Sequence, residues 1–212
     1  MTDYSRPFPP ASVTSLTNKD DFEPAPDVAE WIRSAFLDES GPLYYKGHDH
    51  LRQASIGVLW TNQPYRRRGR PVAGMAEQAG NVGGMSRWKS GRITLQLERW
   101  FGHVPDFLIT LDAIQAQSMP DLVFCALVDH ELCHCGQRLD EFGMLKFDRD
   151  TGKPLFTMRG HDVEEFVSVV ERFGIEAAGD SAVDLVIAAG NKPKIGPARV
   201  GIACGTCELR VA

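Results

Sequence analysis

Residues 118–136 read SMPDLVFCALVDHELCHCG, and the fold is decided there. The run from Leu122 to Val128 is apolar on every side, which predicts a helix with most of its surface inside the protein. Ser118 with Asp121 three residues on predicts a cap for the free amides of the first turn; Pro120 is tolerated that early, and Gly136 is a natural stop. Near the end of this helix His130-Glu131-Leu132-Cys133-His134 forms an H-E-x-x-H motif. Histidines four residues apart project from neighbouring turns of one face, so two imidazole nitrogens can share one metal ion. Glu131 lies one residue on, about 100° round the helix, where a carboxylate reaches a metal-bound water without taking a coordination position. Zinc lowers the pKa of that water towards about 7, and the glutamate can take its proton and pass it to a leaving amine. The set predicts a zinc-dependent peptidase, a hydrolase with Zn2+ as cofactor and Glu131 as general base. The bland alternative is a core helix that merely ends in three ionisable groups; such groups need a partner, and a metal ion supplies one.

Composition agrees with this. At 212 residues and 43% hydrophobic content the chain can bury a substantial core. A net charge of −5 argues against a general nucleic-acid binder, leaving only a local basic contact open. The opening MTDYSRPFPP lacks the basic and apolar regions of a secretion signal, and no apolar run approaches the length of a membrane span, so no membrane partner is expected. Five cysteines without disulfide-scaffold spacing suit a reducing, cytoplasmic compartment.

In chain order, residues 1–26 read as a flexible leader. Val28, Trp31, Ile32, Ala35 and Phe36 predict a helix over 27–38 that lays one stripe on the core. His48 and His50 form H-x-H, which reads more simply as two solvated loop histidines than as a metal chelate, since nothing nearby completes a site. Ser55 to Gln63 reads as a buried strand and a candidate edge for binding substrate backbone. Tyr65 to Arg70, YRRRGR, is the one dense basic run, read as a solvated loop ahead of a nucleic-acid contact. Val72 to Met85 reads as a long glycine-rich loop; Arg92 to Glu98 and Asp106 to Asp112 alternate as strands. A small sheet with helices packed on it is the simplest architecture, an α+β fold. Beyond the motif, Met144 to Met158 reads as a hairpin or excursion turning at Asp150-Thr151-Gly152-Lys153.

A catalytic zinc site usually takes three protein ligands, so a third is sought after the motif. Asp162 and Glu165 form a capping box that opens a helix with Val163, Phe166, Val167, Val170 and Phe173 inward, which gives Glu165 a structural role. His161, just ahead of that cap and after a permissive glycine, is favoured. Glu164 on the helix is second, and Asp140, six residues past His134 without the glycine its pattern requires, is weakest.

H-E-L-C-H followed by R-G-H-D-V-E-E-F and an apolar helix ending in E-R-F-G resembles the metallopeptidases of phage and prophage genomes. It is also similar, more distantly, to SprT-like zinc peptidases, in which H-E-x-x-H is followed by H-G-x-x-F; Asp162 stands where those proteins have glycine. The resemblance is strongest over residues 118–174. It implies a zincin-like α+β domain, with a small, mostly antiparallel sheet on the motif helix and a second helix, and zinc on His130, His134 and His161. That places the domain at 27–174 and a C-terminal extension at 175–212. In the extension, Cys204-Gly205-Thr206-Cys207 reads as a zinc-ribbon remnant or a plain reduced pair. The implied partner is a protein or peptide substrate in a bacterial host cell. Two other classes stay open: a nucleic-acid-associated accessory or anti-defence protein using YRRRGR, and a non-catalytic zinc-binding zincin. Tyr44, Tyr45 and Tyr65 are candidate oxyanion donors by residue type alone.

Overall fold

In the computed structural model the described residues are 5–15, 21–67, 69–80, 84–163, 170–171, 174–175, 179–198 and 204–206. They fall into two units, residues 1–159 with 198–206, and residues 160–197 with 207–212.

The first unit is built on a four-stranded sheet of order β1-β2-β6-β5, with β1 Phe22–Pro24, β2 Ile56–Thr61, β5 Gly74–Gln78 and β6 Phe107–Asp112. β2 and β6 run parallel from Ile56 opposite Phe107 to Thr61 opposite Asp112, whereas β1 and β5 are antiparallel to their neighbours. β3 Arg66–Arg67 and β4 Arg70–Pro71 make a small hairpin turning on the basic run. All six residues of β2 are buried, because the strand lies in mid-sheet with both faces covered. Ile56, Val58 and Trp60 pack with Phe107, Ile109 and Leu111 into the main core, which also takes Val28, Ile32 and Phe36 and the apolar side chains Phe124, Leu127, Val128 and Leu132. Leu59 and Leu108 face the other way, onto Leu97 and the flanking Ile93, Trp100 and Phe101. The fold is therefore α+β, with a small, mostly antiparallel sheet between helical layers.

The predicted helix at 27–38 is present as α2 (Pro26–Ile32), continued by a wider π turn over Arg33–Leu37. The motif helix, α5 (Asp121–His134), follows α4 (Ala113–Ser118) directly. The expected Ser118–Asp121 cap does not form. Ser118 ends α4 and donates back to the Gln115 carbonyl, while Asp121 accepts from Arg6. α5 runs past its last turn into β7 (Cys135–Gln137), so Gly136 lies in a strand and does not stop the helix. β7 pairs with β8 (Phe156–Met158) across an excursion that turns at Asp148–Gly152, close to the expected return.

Three further expectations are corrected in the sheet and the layer on it. Arg92–Glu98 is part of a helix, α3 (Arg87–Phe101). Ile93, Leu97, Trp100 and Phe101 recur at helical spacing and cover the sheet, while Leu95, which completed the alternation, is 47% exposed. The glycine-rich stretch after Val72 contains β5, an edge strand. The proposed substrate edge, β2, is interior; the edge strands are β1 and β5, of which β5 lies against the motif helix. Upstream, residues 5–15 and 21–26 carry α1 (Ala11–Thr14) and β1. There Arg6 is 5% exposed and donates to Asp121 Oδ1 and to the carbonyls of Ala116 and Met119.

In the second unit the described residues include α6 (Asp180–Gly190), over the apolar stretch from Ser181 to Ala189. His161 and Asp162 are exposed and precede a segment outside the described residues. Of the helix expected to open at Asp162, residues 164–169, with Glu164, lie outside the described residues, and Val170 and Glu171 are helical.

Candidate metal centre

α5 carries the motif at its buried end, where Glu131 and His134 are almost fully enclosed and His130 is half-buried. The imidazoles of His130 and His134 bring their Nε2 atoms to 3.2 Å, with ring centroids 4.9 Å apart. His134 is fixed from behind by residue 159. Its Nδ1–H donates to the Arg159 carbonyl over 2.7 Å, and the Arg159 amide donates to the His134 carbonyl over 2.8 Å. That bond puts the proton on Nδ1 and makes Nε2, which faces His130, the lone-pair nitrogen, the arrangement of a metal-ligating histidine.

Residue 204 supplies a third donor to the same point. Cys204 Sγ lies 3.5 Å from His134 Nε2, and the donor atoms of His130, His134 and Cys204 all lie within 4.8 Å of one another. Tetrahedral zinc, with Zn–N of about 2.0–2.1 Å and Zn–S of about 2.3 Å, holds two nitrogens about 3.3 Å apart and a sulfur about 3.6 Å from a nitrogen. The observed spacings of 3.2 and 3.5 Å fit that donor set. The sequence read Cys204 only as half of a C-x-x-C pair, because a contact spanning 70 residues has no local signature. Cys207 lies outside the described residues.

Glu131 turns towards the sheet edge. Its Oε2 accepts from the Ala76 amide of β5 and from the Thr206 hydroxyl, both at 2.9 Å, while Oε1 is buried with no hydrogen-bond partner among the described residues. Burial pushes its carboxyl above the usual glutamate range; the Cys204 thiol nearby, the Thr206 hydroxyl, the His134 ring and the Ala76 amide pull the other way without cancelling it. Gly74 makes room for this contact, since a Cβ there would stand 3.2 Å from Leu127 Cδ1 and 3.4 Å from Glu131 Cγ.

His48 and His50 are not solvated. They sit on a 3-10 turn over Lys46–Gln53, where buried His48 pairs through Nε2 with Asp129 Oδ1 at 2.9 Å and His50 Nε2 donates to the Cys135 carbonyl at 2.7 Å. Both brace the end of α5 from outside. His48, Asp129 and Cys133 form a second group of close donors, but the histidine there is already matched to a carboxylate. Tyr44 donates to Asp49 and Tyr45 packs edge-on against His48, so each has a structural partner. In the basic run, Arg66 bonds the Gly69 carbonyl of its own turn and Arg67 donates to the Gly205 carbonyl. His161 belongs to the second unit and is described only there.

Two histidine nitrogens that can share a metal, with a buried carboxylate beside them at a sheet edge, are the arrangement of a metallopeptidase-type centre. The chain belongs to the family described as "Putative phage metallopeptidase", whose sequence model matches residues 29–188. No curated protein and no solved structure matches the chain. Membership implies a bound metal and a protein or peptide substrate. Among the described residues no helix is long and apolar enough to cross a membrane.

Proposed function

We propose that the protein is a zinc-dependent metallopeptidase of zincin-like architecture that hydrolyses peptide bonds in the cytoplasm of a bacterial host. The observation that carries this is the convergence of two Nε2 atoms at 3.2 Å with His134 locked in the metal-ligating tautomer. When bound, the metal supplies Lewis-acid polarisation of the scissile carbonyl and makes water acidic enough to be deprotonated near neutral pH. His130 and His134 would hold it, and His161 is proposed as the third ligand on its position ahead of the Asp162 cap and on the sequence resemblance. Glu131 accepts the proton of the attacking water and returns it to the departing amine; its burial raises its proton affinity, which suits both halves of that transfer. β5 presents the outer edge on which an extended peptide would add as a strand, beside the motif helix.

A second reading has one observation in its favour. Cys204 approaches the histidine pair and Thr206 occupies Glu131, as in a closed, non-catalytic zinc site. Among the described residues nothing comparable supports a nucleic-acid accessory role, since Arg66 and Arg67 are engaged within the protein.

Zinc analysis of the purified chain, paired with hydrolysis of fluorescently labelled casein, tests the proposal. Expected are about one zinc per chain, its loss in His134→Ala and in His161→Ala, and casein cleavage abolished by chelation and restored by zinc. A chain that takes up no zinc would remove the peptidase proposal. Zinc retained by His161→Ala would remove His161 from the ligand set and leave the rest standing.

A further inference from the structure

Residues 204–206 lie where a substrate strand would lie. Cys204 pairs in parallel with Gly74 on the outer edge of β5, and the Gly205 amide donates to the Gly74 carbonyl over 2.7 Å. The Thr206 hydroxyl contacts three groups at once: the Ala76 amide at 2.7 Å, the Ala76 carbonyl at 2.9 Å and Glu131 Oε2 at 2.9 Å. Arg67 holds the Gly205 carbonyl from the basic hairpin. A side chain at position 205 would not fit, since a Cβ there would stand 2.6 Å from Val72 Cγ1 and 3.1 Å from Met75 Cβ. The segment is thus built into the edge, with its thiol directed at the histidine pair.

A permanent third ligand would need only the thiol. This segment also covers the strand edge and sets a hydroxyl against the general base, the two places that catalysis must keep open for substrate and water. The geometry points to an internal pseudo-substrate: Cys204 is a displaceable ligand of the active-site metal, and Gly205 and Thr206 fill the backbone subsite along β5. On this inference, which rests on the metal site proposed above, the form described is latent. Activity requires the 204–206 strand to leave, taking the thiolate from the metal and the hydroxyl from Glu131. The bond broken is one sulfur–metal coordination bond; no oxidation is involved, and the vacated position passes to solvent.

Cobalt loading of the full-length protein tests this without an activity assay. A thiolate on cobalt(II) gives near-ultraviolet charge-transfer absorption that nitrogen and oxygen donors do not. Expected is such a band in the native chain, its loss in Cys204→Ala with about one metal per chain retained, and its persistence in Cys133→Ala, which removes the thiol grouped with His48 and Asp129. Cys204→Ser is the fallback if the alanine variant does not fold. Amide exchange over Gly74–Gln78 should also quicken about tenfold or more in Cys204→Ala, as the covering strand is released. Thr206→Val should quicken the same amides while keeping the band. No band in cobalt-loaded native protein would overturn the inference. So would loss of the metal in Cys204→Ala, which would make Cys204 a permanent ligand, or unchanged exchange in both variants. A native chain that binds no metal at all would instead sink the underlying proposal.

Discussion

Replacing Arg6 should destabilise the protein more than any exposed substitution, although it lies far from the motif in sequence. Its guanidinium is buried, donates to the Ala116 carbonyl at 2.9 Å and the Met119 carbonyl at 2.7 Å, pairs with Asp121 Oδ1 at 2.9 Å, and lies 4.1 and 4.4 Å from the ring centroids of Phe8 and Phe124. These contacts tie the end of α4 to the start of α5. A hydrogen bond to a charged group is worth about 1.5–3 kcal/mol; without Arg6 the Ala116 carbonyl keeps the Met119 amide at 3.2 Å, while the Met119 carbonyl loses the guanidinium. The Asp121 side chain is 52% exposed and can return to water, so its share is held to about 1 kcal/mol or less. The two ring contacts add roughly 0.5–2 kcal/mol each, part of which a methionine recovers by packing. Arg6→Met is therefore expected to cost about 3–5 kcal/mol, and Arg6→Lys, which keeps the charge but not the fork, about 1–3 kcal/mol. Urea unfolding followed by tryptophan fluorescence is suited to the measurement, because Trp31 and Trp60 both contact Phe124. A cost below about 1 kcal/mol for Arg6→Met would refute the assignment of Arg6 as a tie between α4 and α5.

Glu131→Gln should keep zinc and lower casein hydrolysis about 10²–10⁴-fold, as judged by metal analysis and initial rates; loss of the metal would make the carboxylate a ligand and not a base. Iodoacetamide near pH 8, read by peptide mapping, should modify exposed Cys133 well before buried Cys125 and Cys135, since burial pushes the Cys125 thiol up to about 11 and the Cys135 thiol higher still. Equal labelling of the three would contradict the packing around α5. Asp148 accepts from the Thr151 amide and hydroxyl, which holds its carboxyl below the usual aspartate value. The turn's stabilisation is then present at neutral pH and lost only as pH falls through that lowered value. An NMR titration of the Thr151 amide should show a midpoint below that of an ordinary exposed aspartate, and a midpoint at or above it would be inconsistent with the turn.

What was legible in the sequence was what repeats locally. The motif helix announced itself through an apolar run ending in three ionisable groups, and β2 and β6 through short β-branched and aromatic runs with polar ends. α3 misled because Ile93, Leu95 and Leu97 satisfy a period of two as well as Ile93, Leu97 and Trp100 satisfy a helix, and only the sheet beneath decides between them. β5 was hidden by its glycine, needed for the approach of Leu127 and Glu131. His48 and His50 looked like solvated loop residues, and Arg6 fell within a stretch read as a flexible leader, since the Asp129 carboxylate and the helix-end carbonyls that pair with them are distant in sequence. The grouping of His130, Glu131 and His134 was legible from spacing, whereas the thiol beside them was not, because edge pairing leaves no periodic trace in a three-residue segment.

The pairing of Gly74 with Cys204 joins residues 130 apart, whereas the histidine pair is made within one helical turn. On a growing chain the helix can form and pack on β5 long before residue 204 has been made. Closure of the long loop is the slower event by chain entropy. The two histidines therefore meet solvent, and whatever ions it carries, during an interval that ends when the late segment arrives. Order of synthesis would then set order of assembly: ion first, cover second.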